Sequence, residues 1–225
     1  MPTYEQLGFG QGAALTGDRA RAVFGQVMGL VAVSLGFAAL GAYILRNHTS
    51  TSGSFFIFFI AAFACVFGLQ AAARRGHEQL AIGLLFGMAL LLGMAISGVV
   101  AYYVRNNPKV VYEAAGSTAL FVGLLGSAGY ATRRDLSGWV RPLMIAFVVV
   151  FLLGLITLFV SVPGSNIIYC VLMLLIFGGF TVFDFNRLAN GGQYNSAVPI
   201  AAAIFLDIFN VFLLFLSLFG GGSRR

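Results

Sequence analysis

Of the seven acidic side chains in the 225 residues, four (Glu5, Asp18, Glu78 and Asp135) fall in polar tails and loops. The other three lie in or against long apolar runs: Glu113 at the start of one, Asp184 near the end of another, and Asp207 about ten residues into the last. A carboxylate in mid-membrane costs on the order of 2.5–3.5 kcal/mol on insertion scales, so it is kept only where it faces protein or water. Asp207 is the strongest anomaly in the chain. Asp184 and Asp207 stand 23 positions apart across a polar turn, Asn190-Gly191-Gly192-Gln193-Tyr194-Asn195. In an antiparallel helical hairpin this spacing sets both acids at similar depth, within about five residues or roughly 7 Å along the axis. Two carboxyls that close in low dielectric cannot both ionise cheaply, so the pair is expected to share a proton. A shared proton is a pH switch, and the same oxygens can hold a hard cation such as Ca²⁺. Because calcium takes about six to eight oxygens, carbonyls, water or Asn210, one turn beyond Asp207, would have to supply the rest.

Plainer roles compete at each position. Asp184 precedes Arg187 by three residues, the spacing of an interfacial helix ion pair. Asp207 could be a structural acid bonded to a nearby hydroxyl or backbone group. Glu113 reads first as an interfacial anchor, since acids near a span end are cheap. Arg74 and Arg75 read first as topology signals. His48 and His77 have no partners at ligand spacing. Cys65 and Cys170 sit in different apolar runs and read as small packers, with no disulfide or zinc site expected.

The elements that position these residues follow from composition. Hydrophobic residues make up 60% of the chain and charged residues 9%, against about 25% charged in soluble domains. A water-soluble enzyme, a disordered tail and a nucleic-acid-binding domain are poor readings; the net charge of +6 is scattered between apolar runs, with no basic stripe. Crossing a bilayer takes roughly 20 apolar residues. Seven runs qualify: 22–45, 54–73, 80–104, 111–131, 143–162, 166–188 and 197–219. They must be helices, because unpaired backbone groups in lipid cost several kcal/mol and the runs lack the alternation of a barrel. The chain therefore reads as an all-α integral membrane protein, a seven-transmembrane-helix bundle at 22–219 between an N-terminal tail at 1–21 and a C-terminal tail at 220–225.

Residues 1–21 lack the short apolar core of a cleavable signal, so the first run is expected to double as the insertion signal. Eight arginines flank the spans on the N-terminal side, against five basic residues on the other, which predicts a cytoplasmic N-terminus. Seven crossings would put the C-terminus outside, and Arg224 and Arg225 argue against that step, so its side stays open. The sequon Asn47-His48-Thr49 matters only in a eukaryotic secretory pathway. Gly25 with Gly29, Gly83 with Gly87, and Gly123 with Gly126 and Gly129 have the spacing of small-residue packing seams. Tyr102, Tyr103 and Trp139 fit an interfacial aromatic belt.

Three blocks carry a resemblance. Glu113-Ala-Ala-Gly-Ser-Thr with GLLGSAGYATRRDLSGW (123–139), then FTVFDFNRL (180–188), then AIFLDIFNVFLLFLSLFG (203–220), together resemble the transmembrane Bax inhibitor motif family, Bax-inhibitor-one-like, in its bacterial members. The resemblance covers about residues 20–220. It implies a seven-helix bundle whose last helix is central, and a pH-sensitive calcium leak. It also implies that Asp184 and Asp207 bond to each other as proton sensor and line the ion path, as transient ligands of Ca²⁺. An Arg near the cytoplasmic end of the second helix would latch the closed pore, and Arg74 or Arg75 matches it; Glu113, Asn210 and Arg187 are accessory candidates from their own positions along the helices. Phe183 and Phe205 stand where the family often has an aromatic hydroxyl, which leaves the acids fewer donors.

The expected protein is a multi-pass one of the bacterial inner membrane, with the bilayer, Ca²⁺ and protons as partners. No cofactor and no nucleic acid is implied. Two alternatives remain at this point: a non-conducting modulator of a membrane protease or other membrane proteins, and a proton-coupled cation antiporter. An intramembrane aspartyl hydrolase would call for Gly-x-Gly-Asp, where Phe205-Leu206-Asp207-Ile208 stands, so no enzyme activity is expected.

Overall fold

An apolar run in lipid has no water to satisfy its backbone, so each N–H must find a carbonyl within the run. A computed structural model describes residues 17–47, 52–132, 134–157, 165–190 and 196–221, and its elements follow that rule. They are α1 (Gly17–Ile44), α2 (Ser52–Arg74), α3 (Glu78–Asn106), α4 (Pro108–Ala131), α5 (Val140–Thr157), α6 (Ser165–Ala189) and α7 (Val198–Gly221), with a short 3-10 turn at Ser137–Trp139 before α5. All seven are long and apolar enough to cross a membrane, and there is no strand among the described residues. The expected class holds. Residues 1–16 of the N-terminal tail, His48, Thr49, Arg133, residues 158–162 of the fifth run, residues 191–195 of the polar turn, and Arg224 and Arg225 lie outside the described residues.

Local chemistry sets the breaks between helices. Asn107 alone separates α3 from α4: its N–H closes α3 on the Tyr103 carbonyl at 2.8 Å. Its backbone is extended, at φ −155°, the conformation favoured before a proline, and Pro108 then opens α4 where no donor is needed. Between α2 and α3 the chain turns through Gly76 at φ +77°, a left-handed conformation glycine adopts without a Cβ penalty. On the opposite side, Arg105 ties α3 to the end of α1 by donating to the Arg46 carbonyl and the Asn47 side-chain oxygen, both at 3.0 Å.

Helices approach most closely at glycines, though only partly at the expected ones. A Cβ on Gly41 would strike the Leu90 carbonyl, and one on Gly93 the Ala38 carbonyl, so α1 and α3 cross backbone to backbone there. On α4, a Cβ at Gly129 would strike the Val182 backbone and one at Gly126 would meet the Phe185 ring at 3.0 Å, which makes these two the α4–α6 seam. Gly25, Gly29, Gly83, Gly87 and Gly123 have nothing within 4 Å of that position. Reading these five as packing seams is corrected: their spacing is right, but the faces they occupy meet no neighbouring helix.

The helices assemble as two groups. α1 and α2 pack on α3; α4 and α5 pack on α6. α7 lies against α1, α2, α3, α4 and α6, and among the described residues α5 is the helix it does not touch. Its interior positions, Ile204, Phe205, Asp207 and Val211 among them, are buried.

Candidate functional site

The hairpin spacing that sets Asp184 and Asp207 at one depth is realised where α6 packs against α7. Both side chains are buried, 6% and 5% exposed, and their carboxyls come within hydrogen-bonding reach of each other. The pair is thus taken from lipid and from bulk water alike, and each acid must find its partners in the protein.

A hydroxyl of α6 reaches the pair, and an amide of the same helix ties down the end of α4. Thr181, one turn before Asp184, donates its hydroxyl proton to the Phe177 carbonyl at 2.8 Å and reaches Asp207 with the same oxygen. Asp207 Oδ2 has no hydrogen-bond partner among the described residues. Asn186 is buried at 2% exposure and donates to the Thr132 carbonyl at 2.7 Å, the Arg134 carbonyl at 3.1 Å and the Gly129 carbonyl at 3.4 Å. It satisfies carbonyls that the end of α4 leaves open, and pins α6 beside it; Asn190 in turn donates to the Asn186 side-chain oxygen at 3.2 Å.

The remaining candidate residues divide clearly. Arg187 is half-buried one turn after Asp184, and its charge acts on that acid. Arg74 and Arg75 are exposed at the end of α2, and no hydrogen bond or ion pair joins either to the acids among the described residues. Asn210 spends its amide on the Leu206 carbonyl of its own helix at 2.7 Å. Glu113 is at the α4 surface, paired with Lys109 at 3.5 Å, an interfacial pair. Cys65 and Cys170 are free thiols. Among the described residues no cluster of three His, Cys, Asp or Glu side chains forms, so a cation at the pair would draw most of its oxygens from carbonyls, Thr181 and water. In the loop beyond α4, Asp135 accepts from the Ser137 hydroxyl at 2.5 Å and its N–H at 2.9 Å; these bonds hold its carboxyl below the ordinary carboxylate range.

Thr181 and Asn186 were not singled out from the sequence. Both lie in the FTVFDFN block, and Thr181 shares the face of Asp184 at a spacing of three. Polar residues other than acids inside an apolar run were the signal available.

Comparison with known proteins supports one lineage. The family model described as Inhibitor of apoptosis-promoting Bax1 matches residues 20–224. An uncharacterized protein of Helicobacter pylori is 27% identical, over 85% of this chain and 83% of its own length. One of Deinococcus radiodurans is 30% identical over 73% of each chain, and an uncharacterized membrane protein of Streptococcus pyogenes is 27% identical over 88% of this chain and 91% of its own.

Proposed function

The chain belongs to the Bax inhibitor-1 family, and from that premise we propose that it is a pH-sensitive calcium leak, gated by a proton shared between Asp184 and Asp207. The observation that carries the reading is the buried carboxyl pair across α6 and α7. Side by side and away from water, the two carboxyls repel when both are ionised. Adding a proton removes that repulsion, gives the opposite acid a donor, and holds α7 against α6. Losing it loosens the contact and exposes oxygens that attract a divalent cation.

Arg187 is the cation placed on Asp184 in this arrangement, and a latch through Arg74 or Arg75 would require the end of α2 to move. The N-terminus faces the cytoplasm of a bacterial inner membrane, a reading supported by the arginine distribution and by relatives that are bacterial.

The test is calcium flux into dye-loaded proteoliposomes across pH, for the native chain, Asp184→Asn and Asp207→Asn. Native flux should vary with pH and both variants should lose that variation. An unchanged pH profile in both sinks the gate. Flux that appears only under an imposed pH gradient would point to coupled antiport, and a chain that carries no flux but co-purifies with a membrane protease would point to a modulator.

A further inference from the structure

The bundle is not closed between α1 and α4. Among the described residues their backbones do not approach each other, and Phe24 of α1 meets Tyr130 of α4 at one end; each helix rests on α7. The space between them is a cavity of about 910 Å³, at the upper end of the roughly 300–1,000 Å³ that small-molecule sites occupy. Leu35 and Ala39 of α1 and Ala119 and Gly123 of α4 form its walls, with Phe209 and Phe212 of α7 at its floor. It extends along α1 from Arg21 to Ala42, a rise of about 32 Å at 1.5 Å per residue, against a hydrocarbon core of about 30 Å.

Its lining is largely apolar and offers water few donors. The Thr118 hydroxyl is spent on the Ala114 carbonyl at 2.7 Å and the Ser127 hydroxyl on the Gly123 carbonyl at 2.6 Å. Ordered water needs several polar partners, and apolar cavities stay dry. The small residues on the α4 wall do not serve helix contact either, since Gly123 has no protein atom within 4 Å of a would-be Cβ, while Gly126 and Gly129 of the same helix are pressed against α6. Gly123 keeps that space open. At the α1 N-terminal end the lining changes character. Arg21 stands there with Tyr130, whose ring packs edge-on against Phe24 at 5.2 Å. A guanidinium presents a planar set of donors matched to phosphate oxygens, and a tyrosine suits the boundary between acyl chains and headgroups.

We propose that this groove binds one anionic membrane phospholipid, its acyl chain laid between α1 and α4 against Phe209 and Phe212, its phosphate on Arg21. The inference is independent of the calcium reading, because its readout is retained lipid and not flux.

Full-length chain reconstituted in phosphatidylcholine vesicles containing a minority of phosphatidylglycerol, then extracted in mild detergent, is weighed by native mass spectrometry. The native chain should keep one phosphatidylglycerol, enriched over its share of the vesicle. Arg21→Gln should still keep a lipid but lose about fivefold of that enrichment, the effect of one arginine near a membrane surface. Gly123→Leu should keep none while circular dichroism shows unchanged helix content, and Ala119→Leu serves the same purpose if Gly123→Leu does not fold. A native chain without bound lipid, or one whose retention the two leucine variants leave unchanged, overturns the site. Equal enrichment in Arg21→Gln overturns the headgroup assignment. A lipid-free dimer that Gly123→Leu dissociates also overturns it, and gives the face to a second copy of the chain.

Discussion

The two sides of α7 treat polar groups in opposite ways. Toward α6 the helix meets Asp184, Thr181 and the carboxyl of its own Asp207, enclosed by protein on every side. Toward the gap between α1 and α4 it presents Ile208, Phe209 and Phe212 to an apolar space. Asp207 and Ile208 are neighbours in sequence, so about a hundred degrees of helix rotation separates the face of α7 that carries its carboxyl from the face it turns to the groove. Within a membrane an ionisable group is kept where protein encloses it, and an apolar face can be left to lipid, whose tails are as apolar as the side chains. The acid pair follows the first condition and the groove the second.

Several substitutions would break or sharpen that contrast. The largest effect is expected at the enclosed side: Asp207→Asn should remove the pH dependence of calcium flux, measured in proteoliposomes, whereas Phe212→Leu, on the groove side of the same helix, should leave the pH profile in place. Next come the glycines of α4. Gly129→Ala forces a methyl into the Val182 backbone and should destabilise the fold by about 1–3 kcal/mol, the usual cost of overpacking. Gly123→Ala meets open space and should change stability by no more than about 0.5 kcal/mol; reversible unfolding in detergent compares the two.

Asn186→Ala leaves carbonyls at the end of α4 without their donor and should cost about 1–3 kcal/mol in the same assay. Glu113→Gln breaks only an exposed i,i+4 pair and should cost no more than about 0.5 kcal/mol. The smallest effect belongs to Asp135. Its folded carboxyl titrates below the ordinary value because Ser137 bonds the ionised form, so what it contributes is present above the unfolded pKa and is lost as pH falls through the lowered one. Hydrogen exchange at the Ser137 amide should therefore quicken at acid pH, and Asp135→Asn should weaken that pH response.

Much of this site was legible in the sequence, and the misses have a common origin. The two acids could be placed at one depth because helical rise is constant and the turn between them is short. Arg187, whose charge acts on Asp184, stands at the ion-pair spacing that the sequence shows, three residues along the same helix, whereas Thr181 and Asn186 passed unnoticed as uncharged groups in an apolar run. Five glycines with seam-like spacing meet nothing, and Gly41 and Gly93, which have no partner glycine four residues away, form the tightest crossing. Spacing along a helix says which residues share a face, and does not say what stands opposite.

The sequence by itself determined the number of spans, their approximate ends and the depth of each charge. Those quantities follow from backbone hydrogen bonding within one segment and from the cost of charge in lipid. Only the tertiary structure decided how each helix is rotated: which glycines bear on a neighbour's backbone, which side of α7 faces Asp184, and that the backbones of α1 and α4 stand apart. In water a polar face marks the outside of a helix. These helices are apolar nearly all round, so rotation is chosen by packing between helices, where small residues and a few hydrogen bonds outweigh any difference between protein and lipid contact.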